Sequence, residues 1–208
     1  MASTHVLFAA LLAGSLSATS GCADDPADPP AIIGSWRVGA NVLDVGALPV
    51  EARQVLTFLA DGTVVAGGLG TEASGNYTVE GDRLTLLTPR QDAPPDSLTT
   101  TFYASATHLV LDAMTSVDAG AGLIGTWRGA RVVNGADIDT TVTLRADHSG
   151  RYETLDHLSG GALGVEATWR QQGDDIEMTA TISPDQLLQL FATRIDGVLG
   201  KPYERVAP

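Results

Sequence analysis

The residues best suited to chemistry are two Asp-His pairs, Asp147-His148 and Asp156-His157, nine positions apart with Glu153 between them. Imidazole and carboxylate together are ligands for zinc or another divalent ion, so this region is the candidate for a metal-handling or hydrolytic centre. Two plainer observations weigh against it. His148 stands where the matching turn of the first half has a glycine, and histidine tolerates the left-handed backbone that such a turn requires. His108 sits beside a hairpin turn, and His5 belongs to the leading segment. The Ser159-Gly160-Gly161 and Ser74-Gly75 stretches lack the strand-to-helix elbow that presents a nucleophilic serine. The only lysine, Lys201, lies outside any Gly-x-x-x-x-Gly-Lys phosphate loop. Asp174-Asp175 belongs to a turn, and Asp137-Ile138-Asp139 lacks the remaining ligands of a calcium loop. No catalytic set assembles along the chain, and no cofactor is expected. The favoured reading is non-enzymatic, with the Asp147/His148/Asp156/His157 region as the alternative.

Charge narrows the partners. Twelve Lys and Arg against 25 Asp and Glu give a net charge of −13 over 208 residues. Such a field repels phosphate backbones and excludes nucleic-acid binding through a basic face. A single cysteine, Cys22, excludes an intrachain disulfide and every multi-cysteine metal cluster.

That cysteine has a telling position. Residues 6–18 (VLFAALLAGSLSA) form one uncharged apolar run of 13. A membrane-spanning helix needs about 20 such residues, whereas a signal-peptide core needs about 7–15. Small residues follow, Ala18-Thr19-Ser20-Gly21, and then Cys22. The arrangement resembles a bacterial lipoprotein signal, although Thr19 stands where such signals usually carry Leu, Val or Ile. The resemblance implies removal of residues 1–21 and attachment of diacylglycerol to the Cys22 thiol. Residues 22–31, with three prolines and three aspartates, then read as an extended tether. The implied address is the bacterial cell envelope, lipid-anchored. Because Ala23 is not aspartate, the outer membrane is expected, with the body facing the periplasm or the cell surface.

The remainder of the chain is a duplication. Ile32-Ile33-Gly34-Ser35-Trp36-Arg37 recurs as Leu123-Ile124-Gly125-Thr126-Trp127-Arg128. Thr57-Phe58-Leu59-Ala60-Asp61-Gly62-Thr63 recurs as Thr143-Leu144-Arg145-Ala146-Asp147-His148-Ser149, and the stretch from Tyr77 to Leu86 matches that from Trp169 to Met178. Landmarks in one order at nearly one offset define two units, 32–114 and 123–208, joined by a linker at 115–122. Each unit reads as strands. Leu56, Phe58 and Ala60 alternate, as do Ile176, Met178, Ala180 and Ile182, which is the period of a half-buried strand. Asp61-Gly62, Gly81-Asp82 and Gly173-Asp174 supply hairpin turns. Unit one is expected as a lead strand (33–38) and hairpins over 54–66, 76–88 and 99–112. In unit two, Ser183-Pro184-Asp185 suggests one helical turn near 184–189, followed by a hairpin over 190–206.

Gly-Ser/Thr-Trp on the first strand, a Thr-Phe-x-x-Asp-Gly-Thr hairpin and Tyr/Trp-x-x-x-Gly-Asp-x-Leu together resemble the small lipocalin-like domains of bacterial envelope lipoproteins. The resemblance implies an all-β fold of two tandem antiparallel meander barrels. It further implies that Trp36 and Trp127 plug barrel ends, with Arg205 packing over Trp127, while unit one has no matching arginine. A unit of about 85 residues buries only about 60–65% of its unfolded surface, so each is expected to be filled rather than hollow. The contrary arrangement is one larger barrel with a calyx. The expected partners are the membrane, through the lipid anchor, and either a small apolar ligand or an envelope protein.

Overall fold

The computed structural model describes residues 31–39, 54–68, 71–118, 122–183 and 186–207. The signal segment, Cys22 and the tether up to residue 30 lie outside this description. Among the described residues fourteen strands occur: β1 (Gly34–Val38), β2 (Val55–Phe58), β3 (Thr63–Gly68), β4 (Thr71–Glu80), β5 (Arg83–Arg90), β6 (Ala93–Ala104) and β7 (His108–Ser116), then β8 (Gly125–Val133), β9 (Ala136–Leu144), β10 (Ser149–Asp156), β11 (Ala162–Gln172), β12 (Asp175–Ser183), β13 (Gln186–Ile195) and β14 (Val198–Arg205). Every pairing is antiparallel, and successive strands form one ring that closes where β14 meets β1. The all-β reading and the three hairpins of unit one hold. The helical turn expected at 184–189 is replaced by β13, where Gln189 pairs with Thr179 of the neighbouring strand. Ladder pairing along a continuous sheet outweighs the local start signal of Ser183-Pro184.

Turn chemistry explains the strand ends. Gly62, Gly81 and Gly173 have φ of 84°, 59° and 66°, values that cost glycine nothing. His148 has φ 63° at the position of Gly62, so its place is turn chemistry. The Asp196-Gly197 turn (φ 48° and 87°) joins β13 to β14 as the expected last hairpin.

Hydrogen bonds recur at equivalent positions of the two halves. Trp36 Nε1 donates to the Ile32 carbonyl at 2.7 Å, and Trp127 Nε1 to the Leu123 carbonyl at 2.9 Å. Tyr77 Oη donates to the Leu59 carbonyl at 2.7 Å, and Trp169 Nε1 to the Arg145 carbonyl at 3.0 Å. Asp61 Oδ1 accepts from the Thr63 amide, as Asp147 Oδ1 does from the Ser149 amide. Gly34 and Gly125, with φ of 131° and 142°, start the two equivalent strands in a backbone conformation that other residues rarely adopt.

Two separate barrels, however, do not form. Each unit contributes seven strands, and neither closes on itself. β7 does not return to β1: it pairs with β14 from His108↔Glu204 to Thr115↔Val198, and β14 supplies the partner of β1 through Trp36↔Arg205. At its far end β7 pairs with β8 through Ser116↔Trp127. The single ring is therefore pinched along a β7–β14 seam into two lobes, each bounded by that seam. Their cores are distinct. Trp36, Phe58, Leu84 and Leu109 fill one, and Trp127, Val142, Leu144 and Met178 fill the other, all of them fully buried. Exchanging last strands leaves no open edge, just as self-closure would, and in addition pairs β7 with β14 along a ladder that two separate barrels would forgo. Close approach at the seam relies on Gly200, where a Cβ would come within 2.7 Å of both the Leu111 carbonyl oxygen and Val110 Cγ1.

Candidate functional site

Where three strands meet, the sheet parts. β6 pairs with β8 through Leu98–Thr100 and with β7 only from Phe102 onward, while β7 and β8 pair only at Thr115–Ser116. Between these ladders, around Thr101, Ala113 and Ala130, a cleft of about 900 Å³ opens between the lobes. The strands bounding it are fixed by side chains. Thr100 Oγ1 donates to Asp112 Oδ1 at 2.8 Å, and Thr101 Oγ1 to the Ala113 carbonyl at 2.6 Å. Gly129 lets the backbones close up, because a Cβ there would lie 2.8 Å from Met114 Cγ.

The cleft wall combines charge with apolar surface. From the first lobe come Asp82, Thr101 and Tyr103; from the second come Arg128, Asp139, Arg151 and Glu153. Leu155, Leu163, Ala130 and Val198 supply the apolar part. Arg151 is held by Glu153 at 3.0 Å and by Glu166 at 2.7 Å, and Arg145 adds a further pair to Glu166 at 3.2 Å. Hydrogen bonds from Arg151 and Arg145 hold the Glu166 carboxyl below its ordinary pKa. Tyr103 Oη donates to Asp196 Oδ2 at 2.6 Å, and this bond raises the phenol pKa. Arg128 has no ion-pair partner among the described residues, so it is the cation the cleft leaves open to a ligand.

The two Asp-His pairs are not brought together. Asp147-His148 sits at the turn before β10 and Asp156-His157 at the turn after it, so an eight-residue strand separates them by roughly 25 Å at its usual rise. His148 packs on Trp169, ring centroids 5.0 Å apart. His157 Nε2 lies 2.8 Å from Asp139 Oδ2, which raises the imidazole pKa. Ser159 Oγ donates to Asp156 Oδ2 at 2.6 Å, so the nearest serine is bonded to a carboxylate and not to His157. Among the described residues, no group of three or more His, Cys, Asp or Glu gathers to hold a metal ion.

The expected plug residues are placed with one correction. Trp36 and Trp127 are both buried at strand starts, in different lobes. Arg205 does not pack over Trp127. Its guanidinium carbon lies 4.3 Å from the Trp36 ring centroid, and its nitrogens donate to the Ile33 and Ala31 carbonyls. Cys22 lies outside the described residues.

Comparison with protein-family models, curated proteins and solved structures returns no match. What the site does must therefore be read from its geometry. The cleft residues escaped sequence reasoning because they come from seven strands of both repeats. The one local signal was the apolar pair Leu155 and Leu163 flanking a turn that carries Leu158, where solvated hairpins ordinarily carry polar residues.

Proposed function

We propose that this protein is a non-enzymatic envelope lipoprotein, anchored through an acylated Cys22, whose two lipocalin-like lobes bind a small apolar ligand bearing one anionic group. The observation that carries the binding half is the cleft at the lobe junction, of a size common for small-molecule sites. Both lobe interiors are occupied by side chains, which leaves the junction as the seat. Leu155, Leu163 and Val198 offer the apolar contact, and Arg128 offers a charge to orient the ligand. The anchoring half rests on the 13-residue apolar run ending in small residues before Cys22. Multiple acyl chains, at about 0.8 kcal/mol per buried methylene, hold such a protein on a membrane durably. The outer membrane is the proposed address.

Two measurements test this reading. Incorporation of labelled palmitate into the intact chain, lost in Cys22→Ala, supports the anchor; equal incorporation in both, or none in either, overturns it. For the cleft, the probe is anilinonaphthalene sulfonate, an apolar anion. Its fluorescence enhancement should saturate with the native protein, fall on Ala130→Trp, which fills the cleft, and weaken on Arg128→Gln. Unchanged titrations in both variants would sink the assignment.

A further inference from the structure

The lobes are unlike at one end in a way that bears on the membrane. The hairpin of β10 and β11 ends in a turn at 157–161 with Leu158 three-quarters exposed (75%), flanked by Leu155 (39%) and Leu163 (37%). Leu155 pairs with Ala162 and Leu163 with Thr154, so the two leucines sit on opposite faces of the hairpin, beside a turn that carries Leu158 between His157 and Ser159. Exposed leucines clustered at one tip mark a contact surface, whereas single exposed residues do not.

Strand polarity places this tip relative to the anchor. From β7 through β8, β9 and β10 each pairing is antiparallel, so the C-terminal end of β10 points the same way as the N-terminal end of β7. That end of β7 is His108, opposite Glu204, and the next residue, Arg205, donates to the Ala31 carbonyl at 3.0 Å. Ala31, where the tether enters the body, therefore lies on the same side of the molecule as Leu158. Leu59, 42% exposed after β2, is also on this side, since β2 pairs antiparallel to β1 beside Arg205. Nine residues, 23–31, join this side to Cys22, and their reach cannot exceed roughly 32 Å.

We infer that the β10–β11 tip rests in the interfacial layer of the bilayer that holds Cys22, with Leu155, Leu158 and Leu163 as its contacts. The inference rests on the lipid-anchor reading above. Three leucines give weak attachment alone, but a short tether makes the second contact intramolecular and raises its effective concentration. The acids beside the tip do not oppose it strongly. Asp156 accepts from the Leu158 and Ser159 amides and from Ser159 Oγ, and Asp139 is paired with His157. Leu155 and Leu163 also line the interlobe cleft, so the cleft mouth then opens beside the lipid, where an apolar ligand would be exchanged.

The test uses the full, acylated chain in phosphatidylcholine vesicles, which are zwitterionic and so do not repel an acidic protein. Once Cys22 is acylated, Leu158→Cys carries the only free thiol, and a bimane label there reports quenching by lipids with a nitroxide near the headgroup. Ala146→Cys, in the exposed turn at the opposite end of β10, is the control site. Quenching severalfold stronger at 158 than at 146 is expected. Equal quenching at the two sites in anchored protein overturns the membrane contact and leaves the anchor standing. Absence of palmitate from Cys22, with the protein free of the vesicles, overturns the anchor and this inference together.

Discussion

Arg205 closes over Trp36, a residue of the other repeat. Its guanidinium stacks 4.3 Å from the indole centroid while its backbone pairs with Trp36 across the β1–β14 ladder. The position opposite Trp127 in the second lobe is Ser116, the last residue of β7. The two lobe ends are thus sealed by different chemistry: a cation over an indole in one, and in the other a serine whose hydroxyl donates to the Asp118 carbonyl while the Asp118 carboxylate caps the Thr126 amide.

The asymmetry is measurable. Arg205→Ala removes a cation–π contact and two hydrogen bonds to carbonyls, and is expected to cost about 1–2 kcal/mol. Ser116→Ala, at the equivalent register, should cost under about 0.5 kcal/mol. Urea unfolding followed by tryptophan fluorescence reads both. Equal losses would show that the seal over Trp36 is decorative.

Gly200→Ala should damage the seam. Its Cβ would meet the Leu111 carbonyl oxygen and Val110 Cγ1 at 2.7 Å and the Asp112 carbonyl oxygen at 3.0 Å, and two of these are backbone atoms that yield only if β7 and β14 separate. A loss of roughly 2–3 kcal/mol is expected for such overpacking. By contrast Gly67→Ala, where an added Cβ meets nothing, should change stability little. Thermal unfolding of the two variants side by side tests the difference.

Neither repeat should fold alone. A fragment ending at Ser116 carries β1 to β7 but lacks β14, and so leaves the β1 edge and the whole β7 seam unpaired. Circular dichroism of that fragment should show little cooperative unfolding. Mixing it with the remainder of the chain should restore the transition. A stable isolated fragment with native tryptophan fluorescence would contradict the shared seam.

The His157–Asp139 pair predicts a small pH dependence with a definite sign. Asp139 raises the imidazole pKa above its ordinary 6.5, so the folded state binds the proton more tightly than the unfolded chain. The resulting stabilisation is complete below about pH 6.5 and is lost as pH rises through the folded value. Asp139→Asn should therefore bring the His157 midpoint, followed by proton NMR, back down. It should also narrow the gap in stability between mildly acidic and alkaline solution. A midpoint unmoved by Asp139→Asn would show that the 2.8 Å contact is not maintained in solution.

Hairpins were legible because their causes are local. Alternation in 56–60 and 176–182 needs only the two-residue period of a strand, and Gly62, Gly81 and Gly173 mark turns that only a positive φ satisfies. His148 could be recognised as a turn residue for the same reason. The two Gly-x-Trp sites could be paired because each needs a glycine at a φ few other residues adopt. The 184–189 helical turn failed where a local start signal competed with a ladder to β12 that the sequence does not display.

What the chain settled by itself, then, was the repeat, the strand periodicity and the identity of the buried tryptophans, since each depends on residues within a few positions of one another. Which strand closes which lobe was decided only in three dimensions. β7 and β14 have equivalent neighbours in their own repeats, and nothing local distinguishes closing onto one's own first strand from exchanging with the other copy. Either closure pairs every edge, but the exchange adds the β7–β14 ladder, and it moves Arg205 from Trp127 to Trp36 and opens the cleft where β6, β7 and β8 part.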